Sequence, residues 1–262
     1  EYAKEGVDIR QIHVQNEPMS DQKFPSCVWS GEEFRDFIAN YLGPLFEQRG
    51  IKSEIWLGTL NGPETDTRFL TTGFNQYANL VLSDEKAAAF IKGISYQWAG
   101  KYGLHQTRRS YPELKYMQSE NECGDGTNNW QYAKYIYGLF NHYLTGGVNY
   151  YIYWNMILQP EGRSTWGWKQ NSMITIDPLA KKAIYNHEYY VMKHFSSRIQ
   201  AGAKQLPLKG QLCGNASAYR NPDGSTVLVI LNPFDKPQAM HFRGKSTVKA
   251  LLPADSINTF VF

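Results

Sequence analysis

The sequence predicts an α/β protein with parallel strands, followed by a small antiparallel β domain. Up to Asn155, five runs of strand-forming residues alternate with segments of helical periodicity. Strands separated by helices pair in parallel through right-handed crossovers, as in a doubly wound sheet or part of a (β/α)8 barrel. From about Phe195, short β runs joined by turns replace this alternation. We therefore expect an α/β domain over 1–194 and a small antiparallel β domain, a β-sandwich, over 195–262.

Each predicted strand of the first domain is a short run rich in apolar residues. In chain order these strands are Val7–Val14, Glu54–Leu60, Ile94–Trp98, Leu114–Ser119 and Val148–Asn155. No glycine-rich phosphate-binding fingerprint follows any of them, which argues against a nucleotide-binding sheet.

The helices between these strands are predicted from apolar residues at helical spacing. The first begins with a capping box, Ser30-Gly31-Glu32-Glu33, and ends at Gly50, with a kink expected at Pro44. Further helices are predicted over Phe74–Leu82, Glu85–Ile91 and about 129–144, and a turn over Asn61-Gly62-Pro63. The residues AGKYGLH (99–105) are predicted to form a loop.

The C-terminal domain is predicted from β runs that turn residues separate. These runs are Ala216–Tyr219, Thr226–Leu231, Gln238–Phe242, Thr247–Leu252 and Ile257–Phe262. The second of them is apolar throughout, which is typical of a strand buried between two layers.

Composition argues against several classes of protein. The 262 residues carry a net charge of only +3 without a basic run, so nucleic acid and anionic membranes are not expected as partners. The longest apolar stretch, Val148–Leu158, is too short to span a bilayer. Three scattered cysteines are too few for a disulfide framework or a zinc site.

Two acidic motifs follow predicted strands and suggest a chemistry. HVQNEP (13–18) ends the first strand with Glu17, and KYMQSENECGDG (115–126) ends the fourth with Glu120 and Glu122. The carboxyl ends of parallel strands meet at one edge, where ligands bind. Two carboxyl groups about 5–5.5 Å apart are what a retaining glycosidase needs, one as acid and one as nucleophile. The sequence therefore predicts a glycosidase in which Glu17 and Glu120 are the catalytic pair.

Other polar and aromatic residues lie at comparable positions. The Asn16 amide could bind the sugar hydroxyl beside the reacting carbon, and Trp98 and Trp154 also lie at strand ends. Taken alone, Asn-Glu-Pro is a common loop tripeptide, and Glu120 and Glu122 could be solvated or helix-capping acids. The residues by themselves leave both interpretations open.

A family resemblance adds to this interpretation. We find four motifs in the order typical of glycoside hydrolase family 30, the glucosylceramidase-like enzymes of clan A: HVQNEP (13–18), RDFIANYLGP (35–44), SENEC (119–123) and YWNMILQPEGRSTWGWKQNSMITID (153–177). The tail, with NPDGSTVLVILN and LPADSINTFVF, resembles the closing strands of that family's β-sandwich. The resemblance implies an incomplete (β/α)8 TIM-type barrel, containing strands four to eight, followed by that sandwich.

The resemblance also implies roles for individual residues. Glu17 matches the acid/base and Glu120 the nucleophile, while Asn16 matches the residue that contacts the sugar 2-hydroxyl. Gln97, Trp98 and Trp154 match substrate-binding positions on the sixth and eighth strands. The implied enzyme retains configuration, acts on β-linked glucosides or related glycans, needs no metal or cofactor, and is secreted or extracytoplasmic.

The chain departs from the family pattern in two motifs. Asn121-Glu122-Cys123 is one residue longer than the family's Glu-Ala-Cys, which makes Glu122 the second candidate for the nucleophile. Ala99 stands where a tyrosine that steadies the nucleophile is expected, so Tyr102 and His105 are candidates to replace it.

The third departure concerns the number of strands. Five predicted strands match the fourth to the eighth of a barrel, so we expect an upstream segment or a second copy of the chain to complete the sheet. An isolated monomer is then expected to have weak activity or none. The alternative function is a non-catalytic carbohydrate-binding or assembly subunit.

Overall fold

The structure, a computed structural model, describes residues 1–62, 77–244 and 247–262 and divides the chain into two compact units. The first unit contains Glu1–Glu122 and Gly146–Trp154, and the second contains Cys123–Thr145 and Asn155–Phe262. The predicted turn at 61–63 and the predicted helix at 74–82 fall partly on residues 63–76, which lie outside the described residues.

The first unit contains a five-stranded sheet in which every pair of neighbours is parallel. Its strands are β1 (Gln11–His13), β2 (Glu54–Leu60), β3 (Ile91–Gln97), β4 (Lys115–Glu120) and β5 (Tyr150–Tyr151). They lie side by side in chain order. A doubly wound sheet reverses its order at a switch point, whereas a barrel does not, so this order is that of part of a barrel. Parallel strands at the five predicted places are confirmed.

Helical segments follow the strands of this sheet. They are α1 (Gly31–Phe37), α2 (Gly43–Gln48), α3 (Tyr77–Leu82), α4 (Glu85–Phe90) and α5 (Lys101–Ser110). The predicted capping box is present, since Ser30 Oγ accepts the Glu33 N–H and Glu33 Oε2 accepts the Ser30 N–H. A π-helical stretch, Ile38–Leu42, separates α1 from α2 just before Pro44, whose missing N–H cannot continue the regular ladder.

The prediction of a loop at AGKYGLH is wrong. A 3-10 turn, Trp98–Gly100, leads directly into α5. Gly100 allows two backbone segments to pack closely, because a Cβ at this position would collide with the Leu60 carbonyl oxygen. Leu104 and Thr107 are buried and fix the inner face of the helix. Tertiary packing thus overrides a weak local propensity.

The core of the first unit lies along the central strands. β2 and β3 are buried along nearly their whole length, as expected for parallel strands covered on both faces. The Trp56 ring packs directly against the backbone of Gly93 on the neighbouring strand, and a Cβ at Gly93 would lie 2.7 Å from that ring. The buried Tyr96 hydroxyl donates to Thr107 Oγ1 at 2.6 Å, which ties β3 to α5.

Within its described residues, the second unit combines two α-helices with strands that are mostly antiparallel. Its helices are α6 (Trp130–Thr145) and α7 (His187–Ser196), which pack together through stacked Phe140 and Phe195 rings. Its strands are β6 (Ile157–Leu158), β7 (Ile174–Asp177), β8 (Lys182–Tyr185), β9 (Lys204–Leu206), β10 (Ala216–Arg220), β11 (Thr226–Asn232), β12 (Gln238–Arg243), β13 (Thr247–Leu252) and β14 (Ser256–Val261).

These strands form three sheets with the orders β6-β7-β8, β14-β11-β10-β9 and β12-β13. The five predicted C-terminal runs are therefore confirmed as β10 to β14. Ala218, Leu228, Ile230, Met240 and Leu252 form a buried cluster within them. Because β11 is buried along almost its whole length, it matches the strand predicted from its apolar sequence.

Two glycines offer a matched test of the core packing. Gly93→Ala should destabilise the protein by about 1–3 kcal/mol, because the added methyl group overlaps the Trp56 ring. In α6, the Gly138 position faces open space, so Gly138→Ala should be stabilising by about 0.4–1 kcal/mol through helix propensity. Urea unfolding followed by circular dichroism measures both. A Gly93→Ala variant as stable as the parent would contradict the packing described.

Candidate active site

Glu17 is held by backbone contacts to β2. Its N–H donates to the Thr59 carbonyl oxygen at 3.2 Å, and the Ser20 N–H donates to the Glu17 carbonyl oxygen at 3.1 Å. Pro18 follows Glu17, and a residue before a proline is expected to have an extended backbone, but Glu17 has a φ of 51°, in the left-handed region. The extended conformation that Pro18 predicts is therefore wrong, because hydrogen bonds on both sides of Glu17 fix the turn.

The carboxyl group of Glu17 is buried among neutral donors. Gln97 Nε2 donates to Glu17 Oε1 at 3.2 Å, and Gln22 Nε2 donates to Oε2 at 3.4 Å. The residue is only 8 % exposed. Burial raises the pKa of Glu17 above its ordinary value, and the two amide hydrogen bonds offset part of that rise.

Asn16 shares a donor with Glu17. Gln97 Nε2 also contacts Asn16 Oδ1 at 3.2 Å, and Thr59 Oγ1 donates to the same oxygen at 2.9 Å. Asn16 itself is exposed. A single glutamine at the end of β3 therefore fixes both residues of the Asn-Glu motif.

Glu120 lies at the end of β4, where the pairing with β3 shifts register. Tyr96 pairs with Gln118 and Gln97 pairs with Glu120, so one extra residue, Ser119, bulges out of β4. Ser119 Oγ donates to Gln97 Oε1 at 3.0 Å. Trp98 Nε1 donates to Glu120 Oε1 at 2.9 Å.

The electrostatic surroundings of Glu120 favour its protonated form. Burial is the largest effect, and the negative charges of Glu17 and Glu122 add to it, while the Trp98 hydrogen bond acts in the opposite direction. Together they raise the pKa of Glu120 to about 7. Glu17 and Glu120 accept hydrogen bonds from consecutive residues, Gln97 and Trp98, which brings the two carboxyl groups to the same end of β3.

Glu122 and Asn121 have different surroundings. Lys101 Nζ lies 2.6 Å from Glu122 Oε1, in an ion pair whose side chains are 14 % and 16 % exposed. Asn121 is buried and brackets the backbone of Trp154, donating to its carbonyl oxygen at 3.1 Å and accepting its N–H at 2.8 Å. Asn121, the residue after Glu120, is thus bound to the backbone of Trp154, the aromatic residue that follows β5.

The structure therefore brings most of the predicted site residues together. Hydrogen bonds join Asn16 and Glu17 to Gln97, and the next residue in the chain, Trp98, donates to Glu120. The contact to Trp154 is made through its backbone. Of the two residues expected to replace the missing tyrosine, Tyr102 is 68 % exposed, and His105 is also exposed on α5. The hydrogen bond to Glu120 comes instead from Trp98.

Three contributors were missed by sequence reasoning. Gln22 comes from an irregular loop and Thr59 from the end of β2, and neither position carries a pattern that predicts its contact. The contact of Lys101 with Trp98 could have been predicted from spacing, because residues three positions apart are neighbours on a helical turn. That prediction would have required recognising the helical segment at 98–110.

The chemistry available at this network is that of carboxyl groups. Within the described parts of the chain, no group of three or more His, Cys, Asp or Glu side chains could hold a metal ion. Among the same residues, no helix has the length and apolar character required to cross a membrane. Two carboxyl groups with raised pKa and neutral donors suit proton transfer and nucleophilic attack.

Comparison with known families finds two matches. Residues 1–199 match the glycosyl hydrolase family 30 TIM-barrel domain, and residues 214–260 match the glycosyl hydrolase family 30 beta sandwich domain. These matches confirm the barrel-type and sandwich folds predicted from the sequence.

Individual relatives align over essentially the whole chain. The lysosomal acid glucosylceramidase of Mus musculus is 27 % identical over 100 % of this chain and 53 % of the relative. The endo-1,6-beta-D-glucanase BGN16.3 of Trichoderma harzianum is 25 % identical over 99 % of this chain and 53 % of the relative. The chain therefore spans about half the length of the curated relatives it matches.

Solved structures show the same fold. SrfJ from Salmonella typhimurium superposes with a TM-score of 0.84 at 23 % identity, covering 100 % of this chain and 59 % of that one. The endo-beta1,6-glucanase BT3312 gives a TM-score of 0.84 at 22 % identity, covering 99 % of this chain and 60 % of that one.

The raised pKa of Glu120 predicts a loss of stability as the pH rises from acidic to neutral values. The folded state keeps this proton up to about pH 7, whereas the unfolded state releases it near 4.3, so stability falls as pH rises through that window. Glu120→Gln removes this loss and should stabilise the protein by about 1–3 kcal/mol at pH 8 relative to its effect at pH 4.

Chemical unfolding of the parent and the variant at both pH values measures this difference. Glu47→Gln, at an exposed position of α2, is the control and should change stability by less than about 0.5 kcal/mol at either pH. Equal effects of Glu120→Gln at pH 4 and pH 8 would contradict a raised pKa.

Proposed function

The chain belongs to glycosyl hydrolase family 30, and we propose that it hydrolyses β-linked glucosides or related β-glycans with retention of configuration. The observation that carries this proposal is the network in which Gln97 contacts Glu17 and the next residue, Trp98, contacts Glu120. Two carboxyl groups linked in this way can act as the acid and the nucleophile of a double displacement.

Glu120 is proposed as the nucleophile and Glu17 as the acid/base. In the first step, a Glu120 oxygen bonds to the anomeric carbon while the glycosidic C–O bond breaks and Glu17 gives its proton to the leaving oxygen. In the second step, Glu17 takes a proton from water, whose oxygen displaces Glu120 from the sugar. The Trp98 indole would hold one Glu120 oxygen throughout.

The pKa values of the pair set a condition for these roles. Burial raises the pKa of Glu17 and raises that of Glu120 to about 7, which favours a proton on Glu120 in the free protein. The proposed mechanism requires this proton to lie on Glu17 when the sugar is bound, and a negative charge on Glu120 would raise the pKa of Glu17 and so favour that state. Glu122 is less suited to attack, because its carboxylate is paired with the Lys101 ammonium group. The ion pair therefore supports Glu120 rather than Glu122 as the nucleophile.

The remaining site residues are proposed to contact the sugar. Asn16 would contact the 2-hydroxyl group, because it is exposed beside Glu17 and its amide is oriented by Gln97 and Thr59. Gln97 and Trp98 would line the same pocket, and Trp154 would provide an aromatic surface at the end of β5. We also propose a division into a barrel part, 1–194, and a sandwich domain, 195–262; the family matches over 1–199 and 214–260 support it.

The edges of the sheet support a further proposal about partners. Among the described strands, β1 and β5 each have one neighbour in the parallel sheet, and Ile9 and Ile152 beside them are 39 % and 50 % exposed. We propose that a segment of a longer protein, or a second copy of this chain, pairs with these edges. The second candidate function, a non-catalytic carbohydrate-binding or assembly subunit, would use the same edges without turnover.

The proposed nucleophile can be identified by trapping. Incubation with a 2-deoxy-2-fluoro-β-glucoside bearing a good leaving group should attach one fluorosugar to Glu120, since the fluorine slows both steps and the good leaving group restores the rate of only the first. Peptide mass mapping locates the label. Glu122→Gln should still be labelled and Glu120→Gln should not. A label on residue 122, or none on the folded parent protein, would contradict the assignment.

The two carboxyl roles can be separated with azide. Glu17→Ala should lower turnover of substrates with poor leaving groups about 10²–10⁴-fold, because general acid catalysis is lost. Azide should restore turnover of activated substrates and give the β-glycosyl azide, whereas Glu120→Ala with azide should give the α-azide. Sugar binding unaffected by either variant, without turnover in the parent, would favour the non-catalytic function.

A further inference from the structure

Trp98 combines an unusual backbone with a contact to Glu120. Its φ is 47°, in the left-handed region that bulky residues rarely adopt. The Trp98 side chain nevertheless places its indole N–H 2.9 Å from Glu120 Oε1. A strained residue keeps its conformation only where its surroundings hold it. The contacts around Trp98 therefore decide whether Glu120 keeps this donor.

Two contacts hold the turn that contains Trp98. The Gly100 N–H donates to the Asn61 carbonyl oxygen at 3.1 Å. Lys101 Nζ donates to the Trp98 carbonyl oxygen at 3.1 Å and lies 2.6 Å from Glu122 Oε1. Glu122 follows Glu120 by two residues, so Lys101 joins the turn at the end of β3 to the segment at the end of β4.

The Lys101–Glu122 pair is more buried than a similar pair in the same sheet. Its side chains are 14 % and 16 % exposed, whereas Lys115 and Glu54, also 2.6 Å apart, are 46 % and 30 % exposed. The second pair lies at the amino ends of β2 and β4, away from the carboxyl ends. Loss of one partner from the more buried pair leaves an uncompensated charge with little solvent screening.

We propose that Lys101 and Glu122 are positioning residues, which fix the Trp98 turn so that its indole keeps donating to Glu120. Neither touches the sugar in this account; both act through Trp98. The inference rests on the proposed role of Glu120 as the nucleophile.

The ion pair also has an electrostatic consequence for Glu120. The charged groups that act on it are Glu17 beyond β1 and Glu122 beyond β4, and Lys101 at the start of α5 is the cation paired with Glu122. Removing the ammonium group would leave Glu122 unbalanced and raise the pKa of Glu120 further. Removing the Glu122 charge would lower it.

The Trp98 indole N–H gives a direct readout by NMR. Its ¹H–¹⁵N resonance is assigned with Trp98→Phe, and its pH titration reports the ionisation of Glu120. In Lys101→Met we expect an upfield shift of the indole proton and exchange of that proton with water at least about tenfold faster. The titration midpoint that reports Glu120 should be higher. Lys101→Arg should restore the parent behaviour, because a guanidinium group can donate to both oxygens.

Two further variants complete the test. Lys115→Met breaks the matched pair at the other end of the sheet and should leave the Trp98 resonance unchanged. Glu122→Gln keeps the size of the side chain, so it tests the idea even if Lys101→Met fails to fold. Its indole N–H should exchange faster with water because Lys101 loses its charged partner, while removal of the Glu122 charge lowers the titration midpoint whether or not the turn moves. An unchanged indole resonance and exchange rate in Lys101→Met or Glu122→Gln, or an equal change in Lys115→Met, would overturn the inference.

None of these readouts needs turnover. If the indole responds as expected but no glycosyl ester forms on Glu120, the proposed function fails and the positioning contact stands. If the ester forms while the indole ignores Lys101 and Glu122, the positioning inference alone fails.

Discussion

The arrangement depends on two consecutive residues at the end of β3 that reach two different carboxyl groups. Gln97 donates to Glu17, and Trp98 donates to Glu120. In a regular strand these side chains would point to opposite faces. The left-handed backbone at Trp98 and the bulge at Ser119 change that alternation. Local strain at the strand ends thus unites side chains that a regular sheet would separate.

Burial of the Glu17 and Glu120 carboxyl groups costs free energy of folding, which the rest of the sheet must offset. Both carboxyl groups have a raised pKa because they are removed from water, and the donors that reach them are uncharged amide and indole groups. A site of this kind favours a shared proton over two full charges. The buried β2 and β3, with Trp56 packed on Gly93, provide the rigid base on which that arrangement can persist.

Much of this fold is readable from sequence, and the exceptions have physical causes. β2 was predicted with its observed bounds, and β11 within one residue, because each is an apolar run between turn residues. The segment AGKYGLH, predicted to be a loop, is helical because Gly100 packs closely against the Leu60 backbone, and no local sequence pattern reveals that contact. β9 and the small β6-β7-β8 sheet were not predicted, since their strands are short and largely exposed.

The site residues likewise include some that the sequence predicts and some that it does not. Glu17 and Glu120 could be proposed because carboxyl ends of parallel strands converge, a consequence of topology alone. The left-handed φ of Glu17 could not, because it depends on a contact to Thr59, 42 positions away. The contact of Lys101 to Glu122 also joins separate strand ends, and Gln22 reaches Glu17 from an irregular loop that carries no sequence pattern.

The central claim is that Glu17 and Glu120 interact as a pair at one edge of the sheet. The most direct measurement is a ¹³C NMR titration of the Glu120 carboxyl carbon in the parent protein and in Glu17→Gln, which needs neither substrate nor turnover. The account predicts a Glu120 pKa near 7 in the parent and a lower value once the Glu17 charge is removed. A Glu120 pKa that is the same in both proteins would contradict the pairing.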